Sequence, residues 1–344
     1  MSRIAAAAFI VTGVYYLAQG AIKLADLWML VFGAVLFAVV IRSIADPLVA
    51  KLKLPQALAV FVAVLAILTF LAGAGFLFGA QITDQVEQLM ERLPSAWAQA
   101  QGQIRASPIA GQVFEQLKSL GSQAGQMLAI APRFAMGAVS GVTTLFLVLV
   151  AGVVLAGNPA RARDGVLALA PKARRERLGE VMDTCGLALK GWLKAQVLSM
   201  LLVGSMVTIG LALIGVPAPL ALGLLTGLAQ FVPIIGPIAS AVPALLVAAT
   251  GGAQMLWLSL ALYVGVSQLE SNVITPLVQK NLASLPVVLG IFSVVGLGTL
   301  FGPLGVLFAT PLTLTLLVIV TMLYRQDVLG DRDALAPGQR RPAD

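Results

Sequence analysis

From Ala195 to Leu269 the chain reads AQVLSMLLVGSMVTIGLALIGVPAPLALGLLTGLAQFVPIIGPIASAVPALLVAATGGAQMLWLSLALYVGVSQL, without one charged residue. A straight helix over residues 195–269 would reach roughly 110 Å at ~1.5 Å per residue, whereas a bilayer core is about 30 Å thick. The run must therefore fold into several passes. Val216-Pro217-Ala218-Pro219 and Thr250-Gly251-Gly252 divide it into three. Working outward, the other charge-free runs are 4–22, 27–41, 54–83, 134–160 and 281–324. A charge at the centre of a span costs at least ~2.5 kcal/mol, so these runs predict further spans, about eight in all.

The whole chain agrees. Of 344 residues, 59% are hydrophobic and 11% charged, with a mean hydropathy of +0.96. A soluble domain carries about 25% charged residues, so this chain cannot cover a water-soluble globule. A soluble enzyme or basic nucleic-acid binder is therefore not expected, despite the net charge of +7. The expected fold class is an all-α polytopic integral membrane protein, with about eight transmembrane helices and broken or re-entrant helices in the C-terminal half. Arg3 before the first apolar run has the look of a secretory signal, but with so many later spans a retained helix is the better reading. There is no histidine, the single cysteine is Cys185, and no Gly-Lys pair occurs. Neither a metal site, nor a phosphate-cradling loop, nor any other cofactor site is expected.

Charge sets orientation. With eight spans both termini share a side, and that side holds Arg3, Arg42, Lys51, Lys53, the eight basic residues from Arg161 to Lys194, and Arg325, Arg332, Arg340 and Arg341. Those are 16 of the 22 Lys and Arg, against nine of the 15 acidic residues, so the whole +7 falls on one face. That face is expected to be cytoplasmic, with the protein in a bacterial inner membrane. The expected units are three spans over 1–80, an external helical hairpin over 81–132, a fourth span over 133–157, a cytoplasmic basic amphipathic segment over 158–196, a transmembrane core over 197–325 and a cytoplasmic polar tail over 326–344.

Two polar insertions carry helical periodicity. In the first, Ile82, Val86, Leu89, Leu93 and Trp97 form one series and Ile109, Val113, Leu117, Leu120 and Ala124 another, with Pro108 between. Such a hairpin either caps its own protein or joins subunits and gates a path. In the second, Leu178, Val181, Cys185, Leu189 and Trp192 recur along one stripe flanked by Arg174, Arg175, Arg177, Lys190 and Lys194. An amphipathic helix on an anionic leaflet fits this pattern, and so does plain solvated charge.

Nine of the 18 prolines lie between Pro217 and Pro311. Proline removes a backbone donor, and irregular backbone at membrane depth survives only when buried in protein or lining a cavity. Pro233, Gly236 and Pro237 in Phe231-Val-Pro-Ile-Ile-Gly-Pro237, then Pro276, Gly302 and Pro303, are the candidate helix breaks and gating positions. Broken helices build transporter sites, because freed carbonyls and amides can hold cargo; ligand-free kinks are the alternative.

Ser267-Gln-Leu-Glu-Ser-Asn-Val-Ile-Thr-Pro276 follows, and its Glu270 is the only acidic residue between Asp183 and Asp327. A carboxylate in such surroundings must pair, protonate or bind a cation. Gln268, Asn272, Thr275 and Gln230 are the candidate partners in an oxygen-rich substrate or ion site, expected at the midplane with the Phe231–Pro237 break. An ion pair with Lys280, or simple contact with water, competes with that reading.

The C-terminal half resembles the autoinducer-2 exporter family, also called PerM-type permeases. The resemblance is carried by Leu222-Gly-Leu-Leu-Thr-Gly-Leu-Ala-Gln-Phe-Val-Pro-Ile-Ile-Gly-Pro237 and Gln268-Leu-Glu-Ser-Asn-Val-Ile-Thr-Pro276, followed by Leu285-Pro286, Leu300-Phe-Gly-Pro-Leu-Gly305, Ala309-Thr-Pro311 and Tyr324. The N-terminal half agrees in layout only, and Val287 stands where the family often has a second proline. The resemblance implies an eight-span inner-membrane transport protein that assembles as a homo-oligomer, and some similar proteins are regarded as sodium(lithium)/proton antiporters. Three functions follow: a permease for a small polar or amphiphilic solute such as a quorum signal, a monovalent-cation/proton antiporter using Glu270, or an oligomeric scaffold or channel. Membrane lipid is the expected environment, and no nucleic-acid partner is expected.

Overall fold

The computed structural model describes residues 25–70, 72–73, 146–232, 235–274, 287–331 and 333–339, with single helical positions at Asp84, Glu87 and Glu91. The expected first span, most of the expected hairpin over 81–132, and Pro233, Thr275, Pro276 and Lys280 lie outside the described residues. All described elements are helical. They are α1 (Ala25–Leu52), α2 (Gln56–Phe70), α3 (Phe146–Gly157), α4 (Pro159–Ala168), α5 (Arg175–Ile214), α6 (Pro219–Ala229), α7 (Ile235–Thr250), α8 (Ala253–Leu269) and α9 (Val287–Ile319).

Among the described residues, three helices are long and apolar enough to cross a bilayer: Leu27–Leu52, Lys172–Ile214 and Val288–Gln326. A fourth candidate, α3 with α4, qualifies only across a 90° bend. Glycine and proline bound several of the other apolar segments. Gly215 closes α5 at φ 85°, its N–H reaching the carbonyls of Leu211 and Ala212 while Val216 N–H also returns to Leu211. Ala218 adopts φ 57° ahead of Pro219, which starts α6, and Gly252 at φ 100° separates α7 from α8. The long run over 195–269 thus divides at the two breaks its sequence marks and again at Gln230–Val232, between α6 and α7, so it holds four helices where three passes were expected.

α9 is also two arms rather than one rod. Gly302 adopts φ 62°, ψ −146° ahead of Pro303. A Cβ at Gly305 would overlap the Leu297 carbonyl, although residues eight apart on a straight helix stand ~12 Å apart.

Three apolar clusters hold these helices together, and α5 belongs to two of them. One joins α1, α2 and α3 through Ile41, Ala45, Ala59, Ala63 and Ala156. A second joins α1, α5 and α9 through Leu36, Val181, Leu189, Trp192, Leu314 and Val318. The third joins α5, α6, α7 and α8 through Val207, Leu211, Leu222, Val247 and Tyr263. The Val181–Leu189–Trp192 stripe therefore packs against the protein's own helices. The lipid-facing role read from its periodicity is corrected accordingly, since periodicity identifies a buried face without identifying what buries it.

The C-terminal segment also departs from a plain polar tail. Arg177 donates to Asp327, Glu180, Gln326 Oε1 and the Met322 carbonyl, and Ala334 and Ala336 are buried, Ala336 within the α5–α9 cluster.

In lipid, apolar burial gives little drive for helices to associate, so close van der Waals approach through small residues matters more. α5 and α6 meet in this way. Gly204 lies against the Gly223 carbonyl and Gly227, and Gly227 lies against the Met200 carbonyl. A Cβ at Gly223 would overlap Thr208 Oγ1 and approach the Gly204 carbonyl to 2.8 Å. Gly223→Val is expected to lower stability by about 1–3 kcal/mol through overpacking, visible as a lower melting temperature in detergent. Gly290→Ala, where nothing lies within 4 Å inside α9, should leave the melting temperature equal or slightly higher; equal melting of both variants would contradict this packing.

Candidate functional site

The site forms where α5, the end of α6 and the end of α8 converge. α5 and α6 run antiparallel through their glycine contacts. α6 and α8 run parallel, since Thr226 meets Tyr263 and, one turn on along α6 and about two along α8, Gln230 meets Glu270. This register brings single polar side chains from three apolar helices to one place.

Glu270 sits at the centre, half-buried. Its Oε1 accepts from Gln230 Nε2, and from Ser199 Oγ at 3.4 Å. Among the described residues no lysine or arginine pairs with it. Gln230 is 3% exposed and is held from behind, because Gln196 Nε2 donates to its backbone carbonyl at 2.6 Å. Gln230 Oε1 is buried and has no hydrogen-bond partner among the described residues. Phe231 closes this end edge-on against Trp192, with ring centroids 5.6 Å apart. At Glu270 the helix widens into π turns over Glu270–Ile274, a distortion that often accompanies functional sites. One turn up the α6–α8 interface, the buried Thr226 and Tyr263 hydroxyls lie 2.9 Å apart.

Of the residues expected from sequence, Gln230 and Glu270 come together. Gln268 and Asn272 do not join them. Asn272 Nδ2 donates to Gln268 Oε1 at 3.0 Å, and both residues are exposed. At 100° per residue, Gln268 lies about 200° around the helix from Glu270. Thr275 and the Lys280 pairing lie outside the described residues, as do Pro233 and Pro276. Gly236 is buried, with its N–H on the Val232 carbonyl, and a Cβ there would overlap the Ala229 carbonyl. Pro237 follows it in the first turn of α7 and accepts from Ser240 Oγ.

Gln196 and Ser199 were missed. The signal for them is a glutamine and a serine three residues apart at the start of the charge-free run, which places them on one face of a helix. Ser199 lies five residues beyond Lys194, roughly 7 Å along α5, and the charge-free run continues to the end of that helix.

Chemically, Glu270 with neutral neighbours can receive a proton. With Gln230 Oε1 and Ser199 Oγ it can present several oxygens to one small cation, or hydrogen-bond a polar solute. Among the described residues no group of three His, Cys, Asp or Glu could hold a metal ion.

A family model described as "AI-2E family transporter" matches residues 4–325. Among curated proteins, the chain is 31% identical over 158 residues to the candidate transport protein YrrI of Bacillus subtilis, covering 46% of this chain and 44% of that one. It is 25% identical over 303 residues to the candidate transport protein YueF of the same organism, covering 81% and 80%. A third candidate transport protein, from Thermotoga maritima, is 30% identical over 152 residues, or 44% of this chain and 46% of its own length. The aligned part thus spans less than half of YrrI and of the Thermotoga protein.

Replacing Gln196 by Leu should cost about 1–3 kcal/mol by leaving a buried carbonyl unpaired, read as earlier unfolding in detergent. Ser199→Ala, which removes only the long hydrogen bond to Glu270, should cost less; the reverse ranking would contradict the geometry.

Proposed function

The chain belongs to the AI-2E family of transporters, and from that premise we propose that it is a permease carrying a small polar or amphiphilic solute, of the kind of a quorum-sensing signal, without ATP. In this reading it is a carrier rather than an enzyme, with eight spans, both termini cytoplasmic, a bacterial inner membrane as its location and a homo-oligomeric assembly. The solute engages Glu270, Gln230 and Ser199, while Gly236–Pro237 and Gly302–Pro303 are the breaks about which the flanking helices move.

One observation carries the proposal: among the described residues, neutral donors alone hold Glu270. Neutral donors hold the carboxylate in place and leave its charge available to an incoming group. The resemblance to other transport proteins supports the general role, and the residues of the cluster supply a place for it.

A second reading, a monovalent-cation/proton antiporter, is favoured by the buried Gln230 Oε1, which has no partner among the described residues. An oxygen lacking a donor is suited to a cation. In this cycle Glu270 takes a proton on one side and exchanges it for a cation on the other.

Purified protein in liposomes tests both. Saturable efflux of autoinducer-2 that falls roughly tenfold or more in Glu270→Gln supports the permease, a charged hydrogen bond being worth about 1.5–3 kcal/mol. Sodium-driven proton movement that disappears in the same variant supports the antiporter instead. Unchanged flux of both in folded Glu270→Gln overturns the assignment of the site.

A further inference from the structure

We propose that α4 is an in-plane foot lying in the headgroup layer of one leaflet, where it binds anionic lipid phosphates. The inference is independent of the transported solute and starts from direction. α1 is long and apolar enough to span the membrane. α3 runs beside it in the same sense, with Val148 near Gly33 and Gly152 near Ala34 and Phe37. After Gly157 the chain turns by 90°, so α4 leaves at right angles to the spanning direction. The corner is built. The Asn158 side chain accepts from Arg161 N–H at 3.2 Å, Pro159 opens α4, and Gln56 Nε2 holds the Gly157 carbonyl at 3.2 Å. Gln56 begins α2 just after the Lys51–Lys53 turn, so the corner lies at the polar end of α1.

The sides of α4 differ in a way suited to that plane. No residue of α4 is buried. Ala162, Val166 and Leu169 repeat at i, i+4 and i+7 and share one face, with Val166 56% and Leu169 89% exposed. Arg161 and Arg163 lie about 100° to either side of that face, and Asp164 lies opposite. Arg163 is bound to Asp183 at 2.8 Å, and Arg175 reaches the carbonyls of Ala168 and Ala170. These ties hold α4 against α5 and occupy two cations. Arg161, Lys172 and Arg174 are exposed, and among the described residues no salt bridge involves them.

An exposed apolar edge flanked by uncommitted cations, with the lone acid turned away, matches the boundary between acyl chains and anionic headgroups. Val166 and Leu169 enter the acyl boundary, and Arg161, Lys172 and Arg174 bind phosphate oxygens. Basic side chains near such a surface favour binding additively, so depth depends on lipid charge. The lipid-facing role read from the 178–192 stripe is thereby moved to the helix before it.

Site-directed spin labelling of the full chain tests this. In a Cys185→Ser background, the label is attached at Asp164→Cys, Val166→Cys or Leu169→Cys, and the protein is placed in vesicles of phosphatidylcholine with or without phosphatidylglycerol. With phosphatidylglycerol, labels at 166 and 169 should be severalfold less accessible to an aqueous nickel chelate than the label at 164, and more accessible to oxygen. This contrast should shrink severalfold in pure phosphatidylcholine, and also in the Arg161→Gln, Lys172→Gln, Arg174→Gln triple variant. Equal nickel accessibility at all three positions would show an aqueous face and overturn the proposal. Shielding unaffected by lipid charge would overturn the phosphate assignment.

Discussion

The close approach of α5 and α6 through Gly204, Gly223 and Gly227 is the contact on which the arrangement depends. Side chains larger than hydrogen at this seam would separate the two backbones. Because they touch, Gln196 reaches the Gln230 carbonyl, Gln230 is fixed at the end of α6, and its amide meets Glu270 on α8. The glycine seam and the polar cluster are therefore successive parts of one interface. Disturbing the first moves the second.

Breaking the helices is what allows so many polar side chains to gather. Uninterrupted helices satisfy their own backbones and present mainly side chains to their neighbours. Here the chain stops at Gly215, Gly252 and Gly302, and each stop frees backbone groups that lipid cannot solvate. Around the first stop, Gly215 and Val216 return their N–H groups to the preceding turn. Around the third, the two arms of α9 fold closely enough that Gly305 requires the absence of a side chain. Short helices held by such closures can shift as units, which suits a carrier that must open its site to alternate sides.

Much of this was legible in the chain. The lone carboxylate, the breaks at 216–219 and 250–252, and the family pattern over 210–330 could all be read directly. Partnership was harder. Sequence proximity suggested Gln268 and Asn272 beside Glu270, yet helical rotation turns them away, and the second donor came from α5, 71 residues earlier. Similarly, the stripe at Val181, Leu189 and Trp192 announced an apolar face without revealing that α1 and α9 would cover it. Patterns within one helix are local quantities. Contacts between helices depend on crossing geometry, which no spacing rule contains.

The central claim is that the space among Ser199, Gln230 and Glu270 is the place where the transported species binds. Its most direct test is the modification of Ser199→Cys, in a Cys185→Ser chain in liposomes, by a small water-soluble thiol reagent. Modification should stop flux, and saturating autoinducer-2 or sodium should slow the modification rate severalfold. A rate unaffected by either solute, with flux intact after complete modification, would contradict it.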